Sequence, residues 1–191
     1  MRTAFAAVIL LLVSVHATRA DTALDLVAAA RAQVGVTLFY DPSYQQIAYP
    51  MGDVPPVRGV CSDVVIRAFR AVGIDLQQEL HRDMKRHFAA YPKNWGLSKP
   101  DRNIDHRRVP NLATWFKRQG YDLPISQDAA AYQPGDVVTW ILSGGQPHIG
   151  IVSDRRSDDD ARPLVIHNIG WGAREDDALF EYRITGHFRA F

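Results

Sequence analysis

The segment that most constrains this chain of 191 residues runs from Gly59 to Phe69 and contains its only cysteine. In and just beyond this segment, apolar side chains recur at intervals of three and four residues, the spacing of one face of an α-helix. These side chains are Cys61, Val64, Val65, Ala68, Phe69 and Val72. Proline at positions 55 and 56 and glycine at 59 end the preceding segment, so we predict a helix that begins at Cys61 and ends near Gly73.

The position of Cys61 supports two interpretations. In the first turn of a helix, a thiol lies near free backbone N–H groups and the positive end of the helix dipole, and both favour the thiolate form of a nucleophile. A cysteine that starts an apolar face can equally be a small buried side chain. An unpaired cysteine in an exported protein favours the nucleophile, because such proteins usually pair their cysteines or lack them.

Residues 1–20 have the pattern of a secretory signal peptide, with a basic start, an apolar core over 4–15 and small residues at the end. We predict cleavage after Ala20, or alternatively after Ala17. No later apolar run is long enough to cross a bilayer, so we expect no stable membrane insertion. Residues 21–191 suffice for a single domain with a hydrophobic core, which we expect to be a monomer.

The charge of the mature chain is balanced. Without Arg2 and Arg19, 20 of the 22 basic residues remain against 21 acidic ones, which gives a formal charge of −1. This balance does not favour a nucleic-acid partner.

Helical patterns come first along the chain and strand patterns follow. Besides the Cys61 helix, we predict helices over 21–34, 75–90 and 110–119, and strands over 136–141, 148–152, 164–167 and within 179–191. The segment 154–162 is expected to be a solvated hairpin tip and 170–177 a loop. Helices followed by strands with short connections predict an α+β fold with an antiparallel sheet.

Two histidines, His148 and His167, lie on consecutive predicted strands and are the candidates for a general base. If these strands pair, both imidazoles lie on one face of the sheet, and the Cys61 helix could pack on that face. Each histidine alone could instead be a structural core residue. Zinc binding by Cys61 and this pair is a further alternative, although the short paired spacing of zinc ligands is missing.

The other histidines of the mature chain give weaker signals. His81 and His87 are predicted surface or boundary residues of a helix, and His187 lies near the end of a predicted edge strand. His106 lies in a polar loop, and its pattern alone assigns it no role.

Four short motifs, in chain order, resemble the NlpC-type cell-wall cysteine peptidases, a papain-like group. Residues 59–62 (GVCS) resemble the start of their nucleophile helix, and residues 134–140 (PGDVVTW) resemble one of their strands. Residues 148–151 (HIGI) resemble the strand that carries their base, and residues 165–168 (VIHN) the strand after it. The mature chain as a whole, including 103–112, resembles an exported bacterial family described only as a domain of unknown function.

The resemblance implies a papain-like α+β domain whose N-terminal helices pack on a C-terminal antiparallel sheet. It implies an exported peptidase or amidase, in the periplasm or cell wall, that hydrolyses an amide bond of peptidoglycan stem peptides or muropeptides without a cofactor or metal. Cys61 would be the nucleophile, His148 the base and His167 the residue that orients the base. Tyr49 would support the oxyanion, and Asn168 is the reserve for the orienting position.

The sequence departs from this group at the start of the nucleophile helix. The group usually has aspartate before the cysteine and glycine two residues after it, where this chain has Val60 and Asp63. Ser62 and Asp63 are therefore candidates for substrate binding with an altered specificity.

The insert over 73–131 is also longer than in the group. It is either a lid or substrate-recognition element, with His106 and Arg107 lining the cleft, or a solvated loop with structural Asp–Arg pairs. Two rival functions remain. One is a non-catalytic envelope protein that holds glycan or peptide with Trp95 and Trp171, and the other is an acyltransferase with the same three catalytic residues.

Overall fold

The computed structural model describes residues 18–191. Most of the predicted signal peptide, including the alternative cleavage point after Ala17, lies outside the described residues. Thr18 caps the first helix, because its side chain accepts a hydrogen bond from the Asp21 N–H while its own N–H donates to the Asp21 carboxylate. Within residues 18–191, no helix is both long and apolar enough to cross a membrane.

Four α-helices form the first two thirds of the described chain, as the sequence pattern predicts. They are α1 (Arg19–Arg31), α2 (Cys61–Ala71), α3 (Leu76–His87) and α4 (Val109–Arg118). The side chain of Asp75 caps α3 as expected, and Gly73 ends the connection after α2 in the left-handed region with φ of 88°. The predicted helices 21–34 and 75–90 both end three residues earlier than expected.

Two short strands and a five-stranded antiparallel sheet complete the fold. The strands β1 (Phe39–Tyr40) and β2 (Arg58–Gly59) pair in parallel within the segment that leads to α2. The sheet has the order β6-β5-β4-β3-β7. Its strands are β3 (Val137–Ile141), β4 (Pro147–Arg156), β5 (Pro163–Asn168), β6 (Ala173–Asp176) and β7 (Arg183–Phe188). The fold class is α+β, as predicted.

The two faces of the sheet carry separate apolar clusters. On one face, Ile149, Ile151 and Ile166 pack against Val64 and Val65 of α2 in the main core. On the other face, a smaller cluster is built from Tyr132, Val138, Trp140, Val152, Val165, Leu179 and Ile184. Side chains alternate between the two faces along each strand, so every second residue of a strand faces the helices and the residues between them face the smaller cluster.

Two predictions about loops are wrong. The segment 170–177 contains the edge strand β6, which the sequence hides because its alternating residues are charged rather than apolar. The hairpin tip is shorter than predicted, since β4 continues to Arg156 and the turn spans 157–162. His187 does lie on an edge strand, but it is buried: its Nε2–H donates to the Asp136 carboxylate at 2.7 Å and its ring stacks on Tyr132.

Candidate active site

Cys61 begins α2 and lies at the floor of an open cleft. Its helix start is fixed by Asp63, whose carboxylate accepts a 2.7 Å hydrogen bond from the Val60 N–H. A Cβ on Gly59 would lie 2.9 Å from that carboxylate, which explains why the preceding turn has no side chain there. The segment before α2 is therefore packed tightly against the first turn, and the thiol is held in place.

The acidic thiol that the helix start predicts is wrong for the resting state. Cys61 is only 3% exposed, and burial raises the pKa of its thiol to about 12. The N–H groups of Ile149, Ser62 and Cys61 itself act in the opposite direction, but the loss of hydration outweighs them. The resting cysteine is therefore protonated.

Tyr40, rather than the predicted Tyr49, lies at the thiol. Tyr40 lines the cleft together with Cys61, and loss of hydration, with a smaller effect of the neighbouring Cys61 and Asp63, raises the pKa of Tyr40 to about 12. Pairing of β1 with β2 places Tyr40 directly opposite Gly59, two residues before the cysteine. Tyr49 instead stacks edge-on against His81, with ring centroids 5.2 Å apart. No spacing along the sequence indicates Tyr40, because a long-range parallel pairing brings it there.

The two predicted histidines form a hydrogen-bonded chain. The Nε2 of His148 and the Nδ1 of His167 are 2.8 Å apart, and the Nε2 of His167 is 3.3 Å from a carboxylate oxygen of Asp176. A carboxylate can only accept, so His167 carries its proton on Nε2 and accepts at Nδ1. His148 must then donate from Nε2, which leaves its Nδ1 as the basic nitrogen. Asp176 was missed because it lies on β6, which the sequence pattern did not reveal.

Both histidines lie on the sheet face opposite α2, contrary to the expectation that the Cys61 helix packs on their face. His148 pairs across the sheet with Trp140, and Ile149 and Ile151 point to the helices instead. The thiol nevertheless reaches this strand, since the N–H of Ile149 is directed at Cys61. Cys61 therefore lies near the backbone of β4 at Ile149, the residue after His148, while the His148 ring lies on the other face among Trp140, His167, Ala178 and Tyr182.

His148 is a buried, neutral histidine. Loss of hydration, with a smaller contribution from His167, lowers the pKa of His148 to about 3. Burial likewise lowers the pKa of His167, against the opposing effect of Asp176. Within residues 18–191, the Nδ1 of His148 has no hydrogen-bond partner.

Asn168, the reserve for the orienting position, braces the loop before the nucleophile helix. Its side-chain amide donates to the carbonyl of Gly59 at 3.1 Å, and its oxygen accepts from the Gly170 N–H. It lies on the opposite strand face from His167, as the alternation of β5 predicts. The position beside His148 is taken by His167.

The predicted substrate-binding residues Ser62, Asp63 and Arg107 form a buried structural network instead. Ser62 donates to the Arg107 carbonyl at 2.6 Å, and the guanidinium of Arg107 holds the Asp63 carboxylate with two 2.9 Å hydrogen bonds. Arg107 also donates to the carbonyls of Asp41 and Ser43. This network ties the insert to the first turn of α2, so the insert is not a loosely solvated loop.

His106 is buried and does not point a charged group into the cleft. It is 2% exposed, its Nδ1 has no hydrogen-bond partner within the described residues, and burial lowers its pKa to about 3. The interpretation of His106 as a substrate contact is therefore wrong.

The cleft above Cys61 has a volume of about 920 Å³, counting the part that is open to solvent. It is bounded by the segment after β1, by the insert and by Pro147 at the beginning of β4. Its lining consists of Tyr40, Pro42, Tyr44, Val60, Cys61, Trp95, Ile104, Arg107, Arg108, Val109, Pro110 and Pro147. Trp171, 81% exposed, is outside this lining. Within residues 18–191, no group of three potential metal-binding side chains is present.

The comparisons with known proteins identify the family. The model for the family described as "Domain of unknown function (DUF1287)" matches residues 27–190. The chain belongs to this family. A relative in Escherichia coli (strain K12), "Uncharacterized protein YijF", is 56% identical over 173 residues, which cover 91% of this chain and 84% of the relative.

Among solved structures, NlpC1 from Trichomonas vaginalis matches with a TM-score of 0.44 and 14% identity. The match covers 86% of this chain and 44% of the other, so this DUF1287 chain spans less than half the length of that protein.

Proposed function

We propose that this DUF1287 protein is a papain-like cysteine hydrolase that cleaves an amide bond through an acyl-enzyme. In this proposal Cys61 is the nucleophile, His148 is the general base, and His167 with Asp176 fixes the tautomer of His148. The observation that carries the proposal is the polarity of the hydrogen-bonded chain, which leaves the basic nitrogen of His148 without another partner.

The arrangement of the cleft supports this assignment. His148 is the second residue of β4, and the residue before it, Pro147, lines the cleft together with Cys61. The residue after it directs its N–H at the thiol. The proposal requires the Cys61 thiol and Nδ1 of His148 to come within hydrogen-bonding distance at this end of β4.

In the proposed reaction, the substrate carbonyl lies over Cys61 and the thiol proton passes to Nδ1 of His148 as the sulfur attacks. Because the resting thiol and imidazole are both neutral, this transfer accompanies the attack and does not precede it. His148 then protonates the leaving amine, and water, activated by the same nitrogen, hydrolyses the thioester. No step needs a cofactor.

The oxyanion in this scheme is bound by the backbone N–H of Cys61 and by the Tyr40 hydroxyl. A tyrosine is protonated at physiological pH, and the raised pKa of Tyr40 keeps it so, which makes its hydroxyl a hydrogen-bond donor. Tyr40 therefore replaces Tyr49 in the role that the sequence motif suggested.

The substrate in this proposal is a peptide of peptidoglycan, in the periplasm or cell wall. The support is the four-motif resemblance to NlpC-type cell-wall peptidases and the signal-peptide pattern over residues 1–20. The cleft is open to solvent along a lining that includes Cys61, which suits a chain-like substrate.

The test is digestion of purified muropeptides followed by mass analysis of the fragments. We expect cleavage by the wild-type protein, none with Cys61→Ala, and a loss of about 10²–10⁴-fold with His148→Ala. His167→Ala and Asp176→Asn should lower kcat by smaller factors. His87→Ala is the matched control, since that histidine is about half exposed and pairs only with Asp83 on its own helix.

A non-catalytic envelope protein is the second candidate function. One observation favours it: the thiol is buried and its pKa is raised, which a binding protein tolerates and a preformed thiolate enzyme does not. Trp95 lines the cleft and could hold peptide or glycan, whereas Trp171 lies elsewhere. Binding of muropeptides without any cleavage, by a protein whose Cys61→Ala variant binds equally well, would establish this alternative.

A further inference from the structure

The charge of the cleft is one-sided. Among the described residues that line it, the charged side chains are Arg107 and Arg108, and no acidic side chain is present. A cleft with this lining favours an anionic ligand. The two arginines differ, however, in how many of their donors are already used.

Arg107 is committed to the protein. Its guanidinium makes four hydrogen bonds, two to Asp63 and one each to the carbonyls of Asp41 and Ser43. A guanidinium has five N–H donors, so one is left. Arg107 cannot clasp a ligand carboxylate through two parallel bonds without giving up its buried ion pair.

Arg108 is held in place but keeps most of its donors. Its Nη1 donates to the buried Asp105 carboxylate at 2.9 Å, and its guanidinium carbon lies 4.1 Å from the ring centroid of Trp95. Trp95 lies against one flat face of the guanidinium, and the hydrogen bond to Asp105 uses one of its five N–H donors. The ion pair and the indole thus fix the orientation of the group, which lowers the entropy lost when it binds an anion.

We propose that Arg108, positioned by Trp95 and Asp105, is a carboxylate-binding subsite of this cleft, and that it selects peptides with a carboxylate near the scissile amide. The inference rests on the proposed function for the identity of the substrate. The remaining donors of Arg108 form two parallel hydrogen bonds with the carboxylate. Trp95 packs against the adjacent part of the peptide. This assigns to Arg108 the contact that the sequence suggested for Arg107 or His106.

The experiment measures binding rather than turnover, on purified protein that carries Cys61→Ala. The probes are two synthetic forms of the peptidoglycan stem tripeptide, one with free carboxylates and one with the carboxylates converted to carboxamides. Calorimetric titration should show that the carboxylate form binds about 10- to 100-fold more tightly, as expected for charge-assisted hydrogen bonds.

Arg108→Gln should remove this preference and leave affinity for the carboxamide form within about threefold. Trp95→Leu, which keeps the ion pair to Asp105, should weaken binding of the carboxylate form by roughly 2- to 5-fold. Arg82→Gln is the matched control, because Arg82 is half exposed on α3 and lies outside the cleft lining. Melting curves show whether each variant is folded, and Trp95→Leu serves as the test if Arg108→Gln is not.

The inference is overturned if neither peptide binds, if both bind equally, or if the preference for the carboxylate form persists in a folded Arg108→Gln or is unchanged in Trp95→Leu. These outcomes are separate from failure of the proposed function. Muropeptide cleavage without a carboxylate preference would support the hydrolase function and refute the Arg108 subsite. Tighter binding of the carboxylate form, without cleavage by the wild-type protein, would support the Arg108 subsite and refute the hydrolase function.

Discussion

Replacement of Arg107 by methionine should destabilise this protein strongly, because Arg107 connects the insert to α2 through a buried ion pair. The side chains of Arg107 and Asp63 are each 3% exposed, and the substitution removes four hydrogen bonds of the guanidinium while the methionine keeps most of its apolar volume. The Asp63 carboxylate is left buried without its counter-charge. Breaking a buried pair in this way costs about 3–5 kcal/mol.

The assay is urea-induced unfolding followed by far-UV circular dichroism. For a chain of this size, a loss of 3–5 kcal/mol corresponds to a fall in Tm of roughly 6–20 °C. Arg82→Met is the control, since its ion pair with Glu79 is exposed at both ends and should contribute less than about 1 kcal/mol. The double variant Asp63→Asn, Arg107→Met should be less destabilised than the sum of the two single changes, because it leaves no unpaired carboxylate.

A different outcome would refute this reasoning. If Arg107→Met loses less than about 1 kcal/mol, the network is not a structural tie. If it leaves the free energy of unfolding unchanged and raises KM for a cleaved muropeptide with kcat constant, Arg107 contacts substrate as the sequence suggested.

Two further predictions follow from the buried ionisable groups. Because burial raises the pKa of Cys61 to about 12, iodoacetamide should alkylate it more slowly than free cysteine at pH 7.5, with a rate that still climbs above pH 9; a plateau below pH 8 would contradict this. Burial lowers the pKa of His106 to about 3. Below about pH 6.5 the unfolded chain therefore binds a proton that the folded chain does not, and the free energy of unfolding decreases as the pH is lowered. His106→Leu should reduce that slope by about 1.4 kcal/mol per pH unit between pH 6 and 4.5 in urea titrations, and an unchanged slope would show that His106 is not a buried neutral histidine.

Much of the framework could be predicted from local patterns. The apolar spacing after Gly59 defines α2 and its buried face, and the same argument gives α3 and α4 to within a few residues. Alternation along β5 correctly separates His167 from Asn168, because successive side chains of a strand point to opposite faces. The hydrogen bond between His148 and His167 follows from the same rule once the two strands pair.

Contacts between segments distant in sequence were beyond these patterns. Tyr40 reaches Cys61 through the pairing of β1 with β2, and Asp176 reaches His167 through a strand whose charged residues carry no apolar alternation. Arg107 and Arg108 are neighbours in sequence and both line the cleft, yet Arg107 uses four of its donors inside the protein and Arg108 only one. No property of the two side chains distinguishes them before the chain is folded.

The sequence by itself therefore determined the four helices, four of the strands (β3, β4, β5 and β7) and which cysteine and histidines were candidates, since these depend on patterns along one segment. The tertiary structure alone decided which face of the sheet meets the Cys61 helix, which tyrosine lies at the thiol and which arginine is free to bind. It also reversed the expected acidity of the thiol. The helix start acts on Cys61 locally and favours the thiolate, but the loss of hydration depends on every segment that covers the cysteine, and here that loss is the larger effect.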